Sequence, residues 1–425
     1  MYTKKLALDI NPNASFIIDE LKKRGFQAYI VGGCVRDSVM NKKPKDWDIT
    51  TDATPIQMME IFEKTIPTGL EHGTVTIVIN NEQFETTTFR LDGEYKDLRR
   101  PENVVFSSKL EDDLSRRDFT VNAMAYNDEG LVDVFDGIGD IGRKLIKAVG
   151  DPDKRFNEDA LRIMRAIRFS SKLGFDIDYE TFESMKKNSK NLNAISKERI
   201  NHELEEIIEN DISKLGLLND IDVYEDILGI EFCKHTIDKI NNLGKNISSN
   251  TKRAILFKNI DIENIKSIMK TIRYSNKDID ETIGISNVLR NYLVVFKKTM
   301  DLNISNEDEK IRIWMKRLMR YYGVESVKNS IIPIISEKNK LLLEKNINET
   351  VCFDVINDII ESGQCFSIPQ LCINGRDLIE NDIAKGKQIG DILDFLCDYI
   401  IVHPGENEKE NLIKISKNNL RKMEG

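Results

Sequence analysis

Cysteine and histidine are both scarce in this 425-residue chain, and their scarcity narrows the chemistry before any motif is read. Six cysteines (Cys34, Cys233, Cys352, Cys365, Cys372 and Cys397) are scattered with no C-x-x-C pair. That excludes a disulfide framework and points to reduced thiols in a cytosol. Four histidines, none clustered, argue against a zinc site. No apolar run approaches membrane-spanning length, and the opening M-Y-T-K-K-L-A-L-D-I lacks the apolar stretch of a secretory signal. A net charge of −9 speaks against broad nonspecific binding to nucleic acid, while leaving room for a local basic groove. What remains is an ordinary globular composition, 40% hydrophobic and 31% charged, on a chain too long for one core. Two to four domains are expected, with no membrane and no protein partner indicated.

The rest of the chain is organised around residues 29–52, Y-I-V-G-G-C-V-R-D-S-V-M-N-K-K-P-K-D-W-D-I-T-T-D. An apolar strand, Tyr29 to Val31, breaks at Gly32-Gly33. A basic loop, Lys42-Lys43-Pro44-Lys45, then leads to Asp46-Trp47-Asp48. In extended chain, Asp46 and Asp48 share one face and Trp47 takes the other. Two carboxylates side by side repel by roughly 3 kcal/mol at ~5 Å and an effective dielectric near 20. A divalent cation reverses that sign, and a hard ion such as Mg2+ still leaves room for triphosphate oxygens. Upstream, a glycine turn opening a helix offers N–H groups to an anion, and Arg36 can fork onto a phosphate. Held phosphates beside paired carboxylates are what nucleotidyl transfer needs. Taken singly, each half is also what a plain strand-to-helix turn or a solvated acidic pair looks like.

Periodicity predicts helices over 13–25 and 52–64 and a hairpin of strands 74–79 and 84–90 joined by Asn80-Asn81. Glu85 is a candidate third carboxylate. Residues 92–104 are polar, charged and broken by Gly and Pro, as in a mobile loop beside a site. Ser115 to Asp118 reads as a helix start, with Asn122 one turn after Asp118, a pair able to hold ribose hydroxyls. Leu131 to Phe135 is a last strand, Asp136 to Asp140 a hinge-like turn, and the first domain ends near 145. From Phe156 the pattern is helix after helix. Lys154 to Lys172 carries six basic and two acidic residues, with Arg162, Arg165 and Arg168 three apart. Asp159 and Arg162 are close enough on such a helix to touch, and an intrahelical salt bridge is the plain reading of that pair. Further on, the helices at 253–258 and 311–322 read as amphipathic with basic outer faces and Trp314 as core.

The assembled motifs resemble one family. V-G-G-C-V-R-D at 31–37 with D-W-D at 46–48, R-R-D-F-T-V-N-A at 116–123, E-D-A-L-R at 158–162 and S-K-E-R-I at 196–200 occur in its order. This is similar to the bacterial-type class II CCA-adding tRNA nucleotidyltransferases, of the DNA polymerase beta superfamily. A shorter match, L-C-I-N-G-R-D-L at 371–378 and G-K-Q-I-G-D-I-L at 386–393, resembles the family's tail. The resemblance implies an α+β fold: a nucleotidyltransferase head with a mixed sheet (1–145), then an all-α neck (146–215), body (216–335) and tail (336–425). It implies Mg2+ on Asp46 and Asp48, triphosphate on Gly33 and Arg36, and the nucleotide's phosphates or ribose on Arg117. Asp118 and Asn122 would favour ribose, and Asp159 and Arg162 would read the base, with Arg165 and Arg168 continuing that face. The partners implied are tRNA, CTP and ATP. Open alternatives are a CC-adding or A-adding enzyme, a poly(A) polymerase, and an inactive RNA-binding relative.

Overall fold

Residues Ala28-Tyr29-Ile30-Val31 are apolar at every position, as a strand covered on both faces should be. In strand β2 (Ala28–Val31) all four are buried, Ala28 and Ile30 in one apolar cluster and Tyr29 and Val31 in another. The computed structural model describes residues 3–4, 7–93, 104–224, 229–244 and 246–423. Most of the polar segment 92–104, namely 94–103, lies outside the described residues. The chain forms two compact units, 1–234 and 235–425, and the break falls inside the segment expected to be the body.

In the first unit β2 lies within a mixed eight-stranded sheet. From edge to edge the order is β1 (Thr3–Lys4), β10 (Gly130–Asp133), β9 (Met124–Asn127), β2, β3 (Ile49–Thr51), β6 (Glu82–Thr88), β5 (Thr74–Ile79) and β4 (Thr65–Gly69). Only β3 and β6 run parallel among these neighbours. On one face Ile17 and Leu21 of helix α1 (Pro12–Lys23) join Ile30, Ile49, Ile77 and Phe84. The predicted hairpin forms: Ile79 pairs with Glu82, and Asn80 and Asn81 take the left-handed conformation that a two-residue turn requires. Helix α3 (Pro55–Ile61) is shorter than the expected 52–64, started by a Thr54–Gln57 capping box. A ribbon of β7 (Arg90–Asp92) and β8 (Val104–Phe106) brackets the loop.

Three local expectations fail for identifiable reasons. Ser115 to Asp118 ends a helix, α4 (Leu110–Ser115), instead of starting one. The acidic Glu111-Asp112-Asp113 fills its first turn and Arg116 caps its end, the order that the helix dipole favours. Residues 136–140 do not form a hinge. Asp133 accepts the Gly137 and Ile138 N–H groups at 2.8 and 2.9 Å and starts helix α5 (Gly137–Arg143). The first helix expected from Phe156, on which Asp159 and Arg162 were to lie together, is two: α6 (Pro152–Glu158) stops, Asp159 is extended (φ −135°), and α7 (Leu161–Leu173) begins. Asp159 Oδ1 accepts the Leu161 N–H at 3.0 Å, so the aspartate caps the helix on which it was expected to ride.

Helices α8 (Tyr179–Asn188) and α9 (Lys197–Asn210) follow, and α7 packs on α9. One small parallel pair, Leu145–Ile146 with Asp176–Ile177, interrupts the helical run. In the second unit the described residues contain helices and no strand. Trp314 is fully buried, edge-on to Phe296 at 5.0 Å, and donates its indole N–H to the Tyr292 carbonyl at 3.2 Å. It is core. The basic outer faces do not hold throughout: Arg253 and Lys316 are 2% and 1% exposed, because those helices are packed on more than one side.

Candidate functional site

The end of β2 is pinned on both sides. Val31 N–H donates to the Asp48 carbonyl and Gly32 N–H to the Met124 carbonyl, at 3.0 and 3.1 Å. Gly32 has φ +81°, and a Cβ there would lie 3.1 Å from Arg117 Nη1, so both conformation and space favour glycine. Helix α2 (Gly33–Val39) starts at once and carries Arg36. Residues 46–48 precede β3 and are not a ladder strand, yet the alternation holds. Asp46 and Asp48 line one cavity, of about 390 Å³, while Trp47 lines a different one.

Eight of the eleven expected site residues line that first cavity: Gly33, Arg36, Asp46, Asp48, Arg117, Asp118, Asn122 and Arg165. Seven cationic side chains and four carboxylates share its wall, a basic site in an acidic protein. Lys42, Lys43 and Lys45 of the basic loop and Lys172 of α7 supply four of the cations.

Asp46 and Asp48 are the carboxylates of this cavity that a cation could bridge. Among the described residues, no group of three or more His, Cys, Asp or Glu side chains is placed to hold a metal ion. Asp48 is solvent-exposed where it faces the cavity, with protein packed around its other sides. Burial pushes its pKa up to about 6, Arg117 opposes this, and the Glu85 and Asp46 charges add to it. Parallel register explains Glu85: Ile49 pairs with Thr86, so Asp48, the residue before β3, comes beside Glu85 of β6. A carboxylate crowded by two neighbouring carboxylate charges suits a hard divalent ion, which would relieve the repulsion. Cys34, beneath them, is pushed by burial to about 12 and is no nucleophile at neutral pH.

Beside the carboxylates runs a chain of hydrogen bonds. Arg36 Nη1 donates to Asn122 Oδ1 at 2.6 Å, and Asn122 Nδ2 donates to Asp118 Oδ1 at 3.1 Å. Asp118 Oδ2 accepts from Arg165 Nε and Nη2 at 2.9 and 2.5 Å. Burial would raise the Asp118 carboxyl; Arg165 and Asn122 outweigh it and hold the pKa at about 2. Asp113, fully buried, fixes Arg116 and Arg117 at 2.6 and 3.0 Å.

Asp159, Arg162 and Arg168 do not line this cavity. Arg162 donates to Glu158 Oε2 at 2.9 Å and to the Arg116 carbonyl at 2.8 Å, not to the Asp159 carboxylate. Asp159 instead pairs with Arg199 at 3.0 Å, which gives the arginine of S-K-E-R-I a physical task. Arg168 pairs with Glu203 at 2.5 Å.

Sequence reasoning missed several residues. Asp37, which binds Arg36 Nε and Nη2 at 2.9 and 2.7 Å, closes the V-G-G-C-V-R-D motif and needed only an Arg-Asp pairing argument. Phe169 reads as core and is core, but its ring meets arginines one and four residues earlier on α7, a spacing visible in the sequence. Asp113 and Glu203 left no signal beyond charge.

Comparison with known proteins adds family context. Residues 28–147 match the poly A polymerase head domain, 174–219 the probable RNA and SrmB-binding site of polymerase A, and 248–415 the putative tRNA nucleotidyltransferase domain 2. The CCA-adding enzyme of Ligilactobacillus salivarius is 34% identical over 414 residues, 94% of this chain and 95% of that one. That of Limosilactobacillus fermentum is 51% identical over 193 residues, covering 45% of this chain and 48% of that one. Among solved structures, the Bacillus stearothermophilus CCA-adding enzyme in complex with CTP superposes with a TM-score of 0.78 at 28% identity, covering 98% and 99% of the two chains.

Proposed function

The chain belongs to the CCA-adding enzyme family, and on that premise we propose that it adds C, C and A to the 3′ end of tRNA. The reaction takes CTP and ATP without a nucleic-acid template and releases pyrophosphate. The observation that carries this reading is the placement of Asp46 and Asp48 in one cavity with Arg36, Asn122, Asp118 and Arg165.

Asp46 and Asp48, with Glu85 adjacent, would hold the divalent metal, which we assign as Mg2+. When bound, the ion supplies charge neutralisation for the attacking and leaving oxygens. The chain's own groups bind and orient. Arg36 and Arg117, with the Gly33 turn, take the triphosphate, and Arg165 and Arg168 extend that positive face. Asp118 and Asn122 take the ribose hydroxyls; Asp118, ionised at any working pH, accepts from an O–H that deoxyribose lacks.

Asp159 and Arg162 present an acceptor and a forked donor to the base. Cytosine and adenine each offer an amine beside a ring-nitrogen acceptor, whereas uracil and guanine offer a carbonyl there and would leave buried groups unpaired. Nucleotide entry then exchanges the present partners, Glu158 for Arg162 and Arg199 for Asp159. The tRNA is recognised by shape and backbone, as suits A-form RNA. We assign head, neck, body and tail to 1–145, 146–215, 216–335 and 336–425. We place the protein in the cytoplasm, where its tRNA substrate is; no helix among the described residues is long and apolar enough to cross a membrane.

The test is Asp48→Ala. Nucleotide addition should fall by at least about a thousandfold with tRNA binding retained. Substantial turnover would place the catalytic carboxylates elsewhere.

A further inference from the structure

Phe169 is an aromatic ring set among cations. Its centroid lies 4.2 Å from the guanidinium carbon of Arg168, 5.4 Å from that of Arg165 and 5.5 Å from that of Arg36. The ring is 6% exposed and lines the same cavity as Arg36 and Arg165. It meets Phe119 edge-on at 5.8 Å and 77°, and Phe119 donates its N–H to Asp118 Oδ1 at 2.8 Å. Three like charges around one point repel. Each has its own carboxylate, Asp37, Asp118 or Glu203. Asp118, through Asn122, links Arg165 to Arg36 at the hydrogen-bonding ends of their guanidinium groups, but no one acid gathers all three arginines.

The ring does. Arg36 reaches the cavity from α2 and Arg165 from α7, and Phe169 touches both. An aromatic face attracts a guanidinium through its quadrupole, an attraction that an aliphatic side chain of similar volume cannot supply. Arg36 and Arg165 are therefore drawn toward the ring while their hydrogen-bonding groups keep their own partners.

We propose that Phe169 is a positioning residue for anion binding, holding Arg36 and Arg165 together at the cavity as a receptor for a polyphosphate. The identity of that anion as the tail of an incoming nucleotide rests on the nucleotidyl-transfer reading. The positioning role needs only the geometry.

The experiment is calorimetric titration of inorganic tripolyphosphate, without divalent metal, into the full-length wild type, Phe169→Leu and Phe169→Tyr. Without an aromatic face to draw Arg36 and Arg165 together, the Leu variant should bind roughly tenfold more weakly. The Tyr variant keeps the ring and should stay within about threefold of wild type. A merely structural role would lower the melting temperature of both variants and leave Tyr no better than Leu. Phe169→Met serves the same comparison if Leu does not fold. Equal affinity of wild type and the folded aliphatic variant overturns the proposal.

Nucleotide addition by the wild type, measured separately, keeps the two readings apart. Loss of tripolyphosphate affinity with no nucleotide addition by wild type would retain the anion site and reject the enzymatic reading. Normal addition with an unaffected aliphatic variant rejects the positioning role alone.

Discussion

Asn122 joins Arg36 to Asp118, accepting from the guanidinium through Oδ1 at 2.6 Å and donating to the carboxylate through Nδ2 at 3.1 Å. An amide is suited to this place, because the bridge needs an acceptor at one end and a donor at the other. An aspartate would set two buried carboxylates against each other, and an aliphatic residue would leave both partners short of a bond. Asn122→Ala should lower kcat/KM for CTP and ATP by roughly ten- to a hundredfold, the loss expected for hydrogen bonds to charged groups. It should also narrow the preference for CTP over dCTP. Unchanged sugar preference in a slowed variant would remove Asn122 from ribose recognition.

Acid should expose the value of Asp118. Its carboxyl is held at about 2 against an ordinary 3.8, so the ionised form stabilises the fold above pH ~4. That contribution is lost as pH falls through the folded value, and it amounts to about 2–3 kcal/mol. Denaturant midpoints of wild type and Asp118→Asn should differ by a constant amount from pH 7 to 5 and converge below pH 4. Divergence on acidification would contradict the sign.

Lys316 presents the opposite case. It is 1% exposed and makes no ion pair among the described residues. Burial, with Arg312 adding, lowers its pKa to about 8 from 10.5. The charged form is therefore held at a cost below pH 8, and the cost is relieved as pH rises from 8 toward 10.5. Lys316→Met should stabilise the second unit at pH 7 by about 2–3 kcal/mol, a rise of several degrees in melting temperature, with the gain gone by pH 10.5. A variant less stable than wild type at pH 7 would show that the ammonium has a compensating role.

These residues also mark how far the sequence could be read. Arg36, Asn122 and Asp118 were each nameable, because each sits in a motif whose residue types imply a task. The meeting of Arg36 with Asn122 was not, since 86 positions separate them and register across β2 and β9 decides it. The sheet strands declared themselves through apolar runs and the Asn80-Asn81 turn; β4 did not, its five residues including Pro67 and Gly69 and lying mostly exposed. E-D-A-L-R looks like continuous helix because the break at Asp159 is made by a side-chain cap, which spacing does not reveal. Arg253 and Lys316 misled for another reason. Periodicity predicts which face is apolar, but only tertiary packing decides whether the opposite face is also covered.

Base selection is the expected task of Arg162, which donates to Glu158 and to the Arg116 carbonyl. Arg162→Ala should slow both CTP and ATP by about ten- to a hundredfold, with relative use of UTP and GTP rising. Single-turnover rates with the four nucleotides decide it. A slower enzyme with wild-type discrimination would make Arg162 a structural ion pair and place the base contacts elsewhere.

The central claim is complete, ordered synthesis of C-C-A by this one chain, and the most direct measurement is product length and sequence on a tRNA trimmed to its discriminator base. Purified protein with Mg2+ and CTP alone should add two residues and stop. ATP alone should add essentially nothing to that tRNA but one A to a tRNA already ending in CC, and both nucleotides together should add three. Arrest at CC with ATP present, runs of A on any end, or no addition by folded, tRNA-binding protein would contradict the account.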